Sequence, residues 1–568
     1  MFAGNFTRMK GRFSFWLIGS TFVLALCLLW SGCSTKKADT GKTVFRYNDA
    51  TGITNLDPAF SRDQSHNWVC QQLYNGLVEL DSNLIVRPSI ASNWSISDDL
   101  TTYLFTLRKD VYFTENKLFI NSNKSRLSAR LVTAKDMVFS LQRLVDPELA
   151  SPGSWVMNSV VKAADGQLTG VRALNDSTVE IQLNGPNPAF LSLLAMPYCS
   201  VVPQEVVRYY GNEFGRNPCG TGPFKLAFWK ENVRLILHRN EHYFEVLNGQ
   251  SLPFLDAVEI SFINDKQSAF IEFLKGNLDL LSGLDPSYKD ELLTASGELQ
   301  PRHRGKFRLQ TLPYLNTEYL GIVVDTQAAS TTNSPLRIPA VRQALSYGFD
   351  RASMMLYLRN NMATPGIYGF VPPGLPSFLA DTSIGYSYNP DKSLELLKEA
   401  GFPNGKGLPE IVLSTTSSYL DLCEFIKSQW EAIGINVKID VNQAAVHRKM
   451  VAEQKLTFFR GSWIADYPDA ENYLSLFYSS NAAPAGPNYT HYSNPEFDRL
   501  FQTALRAAND SERFALYRQM DAIVMHEAPV IVLYYDKVVR LTGKNISGLP
   551  VNAMNNLLLK YVRKSSDL

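Results

Sequence analysis

The first thirty-three residues constrain the chain before any fold is considered. Arg8, Lys10 and Arg12 supply three positive charges with no acidic residue up to position 32. An apolar run follows from Phe13 to Trp30, interrupted only by small or hydroxyl residues, and closes on Ser31-Gly32-Cys33. A basic head, an apolar middle and small residues before a cleavage point describe an export signal. The run of eighteen residues also approaches the ~20 needed to span a bilayer, so an uncleaved anchor is the alternative to cleavage. Under either reading the rest of the chain folds outside the cytoplasm on a membrane tether. The polar stretch STKKADTG at 34–41 reads as a flexible leash.

What lies beyond the leader is a large globular chain. Of 568 residues, 45% are hydrophobic and 12% aromatic, which excludes disordered and collagen-like classes. At ~100–200 residues per domain, the length implies two to four domains. The formal charge is +1; without the three basic residues of the leader the remainder carries −2, which argues against a nucleic-acid partner. The end of the leader, LLWSGC, resembles a bacterial lipobox, in which Cys33 is acylated and becomes the new N-terminus; Trp30 departs from the usual aliphatic residue there. Six cysteines are too few for a disulfide scaffold. Cys199 and Cys219 each lie beside an apparent strand (CSVV and CGTGPF), and export permits a bridge between them; two buried thiols are the alternative. Cys70 and Cys423 read as core. No CxxC or Cys/His cluster has metal-ligand spacing, so neither a metal nor another cofactor is expected.

Strands and helices mix along the whole chain, which gives an α/β or α+β class with more than one core. Val179, Ile181 and Leu183 alternate with Glu180 and Gln182 after an Asn-Asp-Ser turn at 175–177, the pattern of a hairpin strand. Val233, Leu235 and Leu237 alternate likewise. Asn494-Pro495 supplies a cap and a first-turn proline, followed by Phe497, Leu500, Phe501, Ala504 and Leu505 at helical spacing. Residues 389–401 start in the same way and stop at Gly401. No catalytic apparatus stands out: there is no GxSxG, HExxH or GxxxxGK[ST]. The acidic group Asp466, Asp469 and Glu471 lacks the alternating ligands and mid-loop glycine of an EF-hand. An enzyme is not expected.

Ten motifs in order give the chain its resemblance to a known family. They include NLDPAF (55–60), QQLYNGLVELD (71–81), the segment 88–113, TAKDMVFSLQRLVDP (133–147), GTGPFKLAFW (220–229), GNLDLL (276–281), VRQALSYGFDR (341–351), WIADYPDAENYL (463–474) and NYTHYSNPEFDRL (488–500). The chain resembles the family 5 extracellular solute-binding proteins, the periplasmic oligopeptide- and dipeptide-binding components of ABC importers. That resemblance implies an α/β, two-lobed fold of the type II periplasmic-binding-protein kind with an additional inserted subdomain. Residues 1–32 would be signal peptide and 33–42 the lipidated cysteine and leash. Lobe I would combine 43–78, 201–311 and 534–564, the insertion would span 79–200, and lobe III would span 312–533. The crossings near 312 and 533 would form the hinge.

Most of these motifs read as packing: Trp94 as core, GTGPF as a tight turn with special backbone angles, and VRQALSYGFDR as an apolar face with a solvated Arg-Asp rim. The resemblance places the site at RGSWIADY (460–467). It implies that Asp466 pairs with a ligand's free α-amino group, that Arg460 meets a ligand carboxylate directly or through water, and that Trp463 lines a side-chain pocket with Tyr467 beside it. The loop Phe60–Gln64 is expected to reach the cleft. Expected partners are a short peptide, the membrane subunits of an ABC transporter with their ATPases, and a membrane through the lipid anchor; no nucleic acid is expected, and the chain is expected to be monomeric. The same fold elsewhere holds nickel chelates, haem or sugars, or serves sensing without transport, and those remain the alternatives.

Overall fold

The computed structural model describes residues 41–119, 129–285, 287–325, 328, 331–507 and 509–565. The leader and Cys33 lie outside the described residues, and among those described no helix is long and apolar enough to cross a membrane.

The molecule is organised by one eleven-stranded mixed sheet. In chain order its strands are β1 (Val44–Asn48), β2 (Phe224–Lys230), β3 (Arg234–Arg239), β4 (Ala257–Ser261), β5 (Leu280–Ser282), β6 (Phe307–Ile322), β7 (Ala363–Pro365), β8 (Ile411–Thr416), β9 (Val437–Asn442), β10 (Phe458–Ile464) and β11 (Val530–Gly543). Across the sheet they run β2-β3-β4-β1-β5-β11-β6-β10-β8-β9, with β7 paired to β11. Strands β1 and β4 are parallel, as are β8 and β9, while the central pair β6 and β11 is antiparallel.

That central pair is unusual in length. β6 has 16 residues and β11 has 14, against a typical ~5–6. One end of the ribbon pairs with β5 and the other with β10, so the two halves of the sheet share it. From Leu315 to Ile322 every residue of β6 is buried, as expected of a strand covered on both faces. The ladder is interrupted twice, between Glu318 and Tyr319 and, more widely, before Thr317: Pro313 faces Lys537, and the next paired residue of β6 is Thr317, facing Tyr535. Tyr314, Leu315 and Asn316 therefore stand outside the β6–β11 register, a bulge of the kind that bends a strand.

A separate antiparallel sheet orders Ala91–Ile96, Thr102–Leu107, Thr178–Gln182 and Val171–Asn175. The helix α1 (Ala134–Leu144) packs on it, its first turn closed by a capping box between Thr133 and Asp136. This sheet and the strands around β1 share one core, which includes Phe45, Phe105, Phe190, Val258 and Leu557. Two further cores flank the segment from β6 onward, one around Phe370, Tyr473 and Phe497 and one around Leu345, Trp430 and Phe458. A fourth, around Phe270 and Leu292, sits against the far end of the ribbon.

The local readings fare unevenly, and the failures have physical reasons. The hairpin at 171–182 forms, with Val179, Ile181 and Leu183 buried. Helices run over Pro390–Glu399 and Pro495–Ala504 with Asn389 and Asn494 as caps, and Gly401 takes a φ of +91° beyond the first. Val233, by contrast, is 53% exposed, because it sits in the turn before β3 while Leu235 and Leu237 are inside. GTGPF needs its glycines for close approach and not for special backbone angles. A Cβ on Gly220 would lie 2.1 Å from the Leu73 carbonyl oxygen, and one on Gly222 would lie 2.3 Å from the Leu73 carbonyl carbon. Trp94 is half-buried at the edge of its core. The expected solvated rim of VRQALSYGFDR is absent: Arg342 and Arg351 are both buried. Arg351 donates to the carbonyls of Val532, Ser346 and Tyr386 at 2.7, 2.8 and 3.1 Å, and burial pushes its guanidinium down to about 9. The bridge between Cys199 and Cys219 is likewise not formed. Both are free, buried thiols with different neighbours, Cys199 Sγ facing the Leu193 carbonyl and Cys219 Sγ the Thr114 carbonyl.

Candidate functional site

At Ile464 the chain leaves β10, turns through Ala465, Asp466, Tyr467 and Pro468, and enters the one-turn helix α2 (Glu471–Leu474). The turn is held at its start by the Ala465 N–H, which donates to the Leu315 carbonyl at 2.9 Å. Inside it sits Asn472, 4% exposed. Its Oδ1 accepts from the Trp463 indole N–H at 2.8 Å and from the Asp466 backbone N–H at 3.2 Å, and its Nδ2 faces Asp466 Oδ2 at 3.5 Å. One amide thus joins two of the expected site residues.

Asp466 combines two properties that seldom coincide. Its side chain is exposed, yet burial by the surrounding protein raises its carboxyl above the usual range, with only the Asn472 amide acting to lower it. The protein around it thus desolvates the carboxylate while leaving it open to solvent. Among the described residues no lysine or arginine pairs with it. Ile464 beside it is 50% exposed, an apolar residue left uncovered at the same place.

The walls are aromatic. Tyr467 is buried, donates its hydroxyl proton to Glu471, and packs against Trp155 with ring centroids 6.2 Å apart. It thereby joins the core of the N-terminal part of the chain although it belongs to the β10 turn. The Tyr198 hydroxyl is pushed up first by burial and then by the negative charges of Asp466 and Asp63, with Arg62 acting against them, so the 60–64 loop and Asp466 both lie within charge range of Tyr198. Asp63 caps the helix that follows it and contacts His66 Nδ1 at 2.8 Å, while Gln64 hydrogen-bonds the Tyr314 side chain in the bulge of β6. Glu471, half-buried and bonded to Tyr467, is pushed up to about 7 by desolvation; Tyr467 and Arg513 act against that shift and Asp469 adds to it. Asp469 is itself ion-paired with Arg513. The three carboxylates 466, 469 and 471 therefore have separate engagements, and no group of acidic, histidine or cysteine residues suited to a metal is found among the described residues.

Arg460 stands apart from this set. Alternation along β10 puts it on the face opposite Trp463. Its guanidinium is ion-paired with Glu318 of β6, lies 3.2 Å from the centroid of the Tyr419 ring, and is held above its ordinary value by the Glu318 carboxylate despite burial. Asp536 of β11, on the same side, is pushed up to about 6 by burial and by Glu318. Arg460 already has an anion, and the sequence reading missed it. The signal was present, since Glu318 is a lone acid in the otherwise uncharged run TEYLGIVV and requires a partner. Asn472 carried no comparable signal, because one amide after a turn looks like many others. Trp155 and Tyr198 were missed for a related reason: they arrive from a segment some three hundred residues distant.

Three comparisons place this geometry. The sequence pattern described as bacterial extracellular solute-binding proteins, family 5 Middle, matches residues 86–485. The chain is 30% identical over 544 residues to heme-binding protein A of Haemophilus influenzae, covering 92% of this chain and 93% of the relative. It is 28% identical over 504 residues to the glutathione-binding protein GsiB of Salmonella choleraesuis, covering 88% and 90%. Among solved structures, the ABC transporter-associated periplasmic binding protein DppA from Helicobacter pylori, in complex with the peptide STSA, superposes with a TM-score of 0.70 at 25% identity, covering 92% of this chain and 98% of that one.

Proposed function

The chain belongs to the bacterial extracellular solute-binding proteins of family 5, and from that premise we propose that it captures short peptides outside the cytoplasm and delivers them to an ABC importer. The observation that carries the reading is Asp466: a desolvated carboxylate, open to a ligand and without a cation of its own. A peptide binder that disregards side chains needs a handle common to all peptides, and the terminal ammonium is one. The resulting charge-assisted hydrogen bond contributes about 1.5–3 kcal/mol. Trp463 and the exposed Ile464 offer apolar surface to side chains without selecting one shape, while Tyr467 beside them is buried. Arg460, already paired with Glu318, meets a ligand carboxylate only through that pair or through water.

The lobes follow from the same reading. Lobe I comprises 43–78, 201–311 and 534–564, the insertion 79–200, and lobe III 312–533, with closure about the β6–β11 ribbon presenting a new surface to the transporter. The chain acts at the periplasmic face, held by a lipid on Cys33, binds as a monomer and carries no catalytic step. The name of the Haemophilus influenzae relative supports a second reading, in which the cleft takes haem.

The test is thermal unfolding of the soluble chain from residue 34 onward. Free tripeptides should raise the melting temperature, and the same peptides N-acetylated should not. Equal stabilisation by both would remove Asp466 from its role, and stabilisation by haem alone would favour the second reading.

A further inference from the structure

We infer that Asn472 is the positioning residue of the ammonium site: its side-chain amide sets the direction and the charge state of the Asp466 carboxylate while anchoring the Trp463 wall. The inference rests on the proposed role of Asp466.

The geometry leaves the amide one orientation. Asn472 Oδ1 takes two donors, the Trp463 indole N–H at 2.8 Å and the Asp466 backbone N–H at 3.2 Å, so it cannot exchange places with Nδ2 without setting donor against donor. Nδ2 must then point at Asp466 Oδ2, 3.5 Å away. The residue itself cannot wander. Its backbone N–H donates to Asp469 at 3.2 Å, its carbonyl accepts from Ser475 Oγ at 3.0 Å, and its side chain is buried. Two expected members of the turn, Trp463 and Asp466, thus refer to this one side chain, whereas the Tyr467 hydroxyl is engaged with Glu471 and Arg460 with Glu318.

The chemistry gives Asn472 a job that packing alone would not require. A carboxylate in a desolvating cleft tends to take up a proton, and a protonated Asp466 has no charge to offer an ammonium. The amide N–H is the one group that favours the ionised form. It donates to one oxygen only, leaving the other for the ligand. Tyr198 and Tyr473, which feel the Asp466 charge, are both held neutral by burial; Arg62 acts on Tyr198, and among the described residues no cation pairs with Asp466 itself.

The experiment follows the Asp466 carboxyl by carbon-13 NMR titration in the soluble chain from residue 34 onward, its resonance assigned by its loss in Asp466→Asn. Asn472→Asp keeps the shape and turns the donor into a second carboxylate; Asn472→Leu removes the amide. Asp466 should titrate higher in both, most in Asn472→Asp, and an unchanged titration in folded variants overturns the inference whatever the ligand is. Should Asn472→Leu fail to fold, the isosteric Asn472→Asp carries the measurement. Binding of unblocked Ala-Ala-Ala, measured by calorimetry across pH, should weaken about ten- to a hundredfold in Asn472→Leu and shift its acid limb upward in Asn472→Asp. If Ala-Ala-Ala binds Asp466→Asn as well as wild type, or binds neither, the peptide reading fails and the titration alone decides Asn472. If Asp466→Asn loses binding while both Asn472 variants retain it with an unmoved pH profile, the peptide reading stands and the inference falls.

Discussion

Arg460 and Asp466 lie six residues apart on one strand and its following turn, and both are charges taken largely out of water. They differ in what answers them. Arg460 faces Glu318 across the β6–β10 ladder, and the pair is internally neutral. Asp466 faces an amide and no cation. A buried charge with its counter-ion already in place is structure, because removing either partner strands the other. A desolvated charge without one is what the proposed function uses as a handle for a ligand of opposite charge. The family resemblance assigns both residues to the ligand; the packing separates them.

The sharpest way to break this distinction is to remove each partner and ask whether stability or binding suffers. Glu318→Ala leaves the Arg460 guanidinium buried and unpaired, and should lower unfolding stability by about 3–5 kcal/mol in denaturant titration. A loss below about 1 kcal/mol would mean that Arg460 is free to serve a ligand after all. Asp466→Asn should do the reverse. It removes a carboxylate that folding desolvates, so the unliganded chain should be no less stable than wild type, while peptide affinity drops by about 1.5–3 kcal/mol. Smaller, and specific to the turn, is the effect of pH through Glu471. Its folded pKa of about 7 lies above the ~4.3 of an unfolded glutamate, so between those values the folded chain holds a proton the unfolded chain has released. The stability this contributes is complete below pH about 4 and is lost as pH rises through about 7. Glu471→Gln should flatten that part of the stability–pH curve, read as melting temperature against pH; an unchanged slope would place the titration elsewhere, Asp521 and Asp536 at about 6 being the next groups to test.

Much of the fold was legible because its signals are local. Asn-Pro before a helical apolar spacing gave the helix at Pro495–Ala504, and Asn-Asp-Ser between alternating strands gave the hairpin at 171–182. The site was legible only where a motif carried it. RGSWIADY pointed at Asp466 and Trp463, but nothing in a linear reading shows which charge meets which across strands that are 142 residues apart, as Glu318 and Arg460 are. The same limit explains the arginine rim. Arg351 at a helix start looks solvated until β11 is folded over it and the Val532 carbonyl becomes one of its acceptors. It explains Cys199 and Cys219 as well, since proximity in sequence and exposure to an oxidising compartment do not make two thiols face each other.

One residue in the bulge of β6 has a reach larger than its size. The Leu315 N–H donates to the Ala553 carbonyl at 2.7 Å, and the Leu315 carbonyl accepts from Ala465, the residue before Asp466, at 2.9 Å. The point where the long ribbon loses its register is therefore fastened on one side to the C-terminal segment and on the other to the turn that carries Asp466. On the proposed reading, in which Asp466 takes the ligand and the ribbon is the hinge, occupancy of that carboxylate and the bend of the ribbon would share this one hydrogen-bonded linkage, like the two arms of a lever.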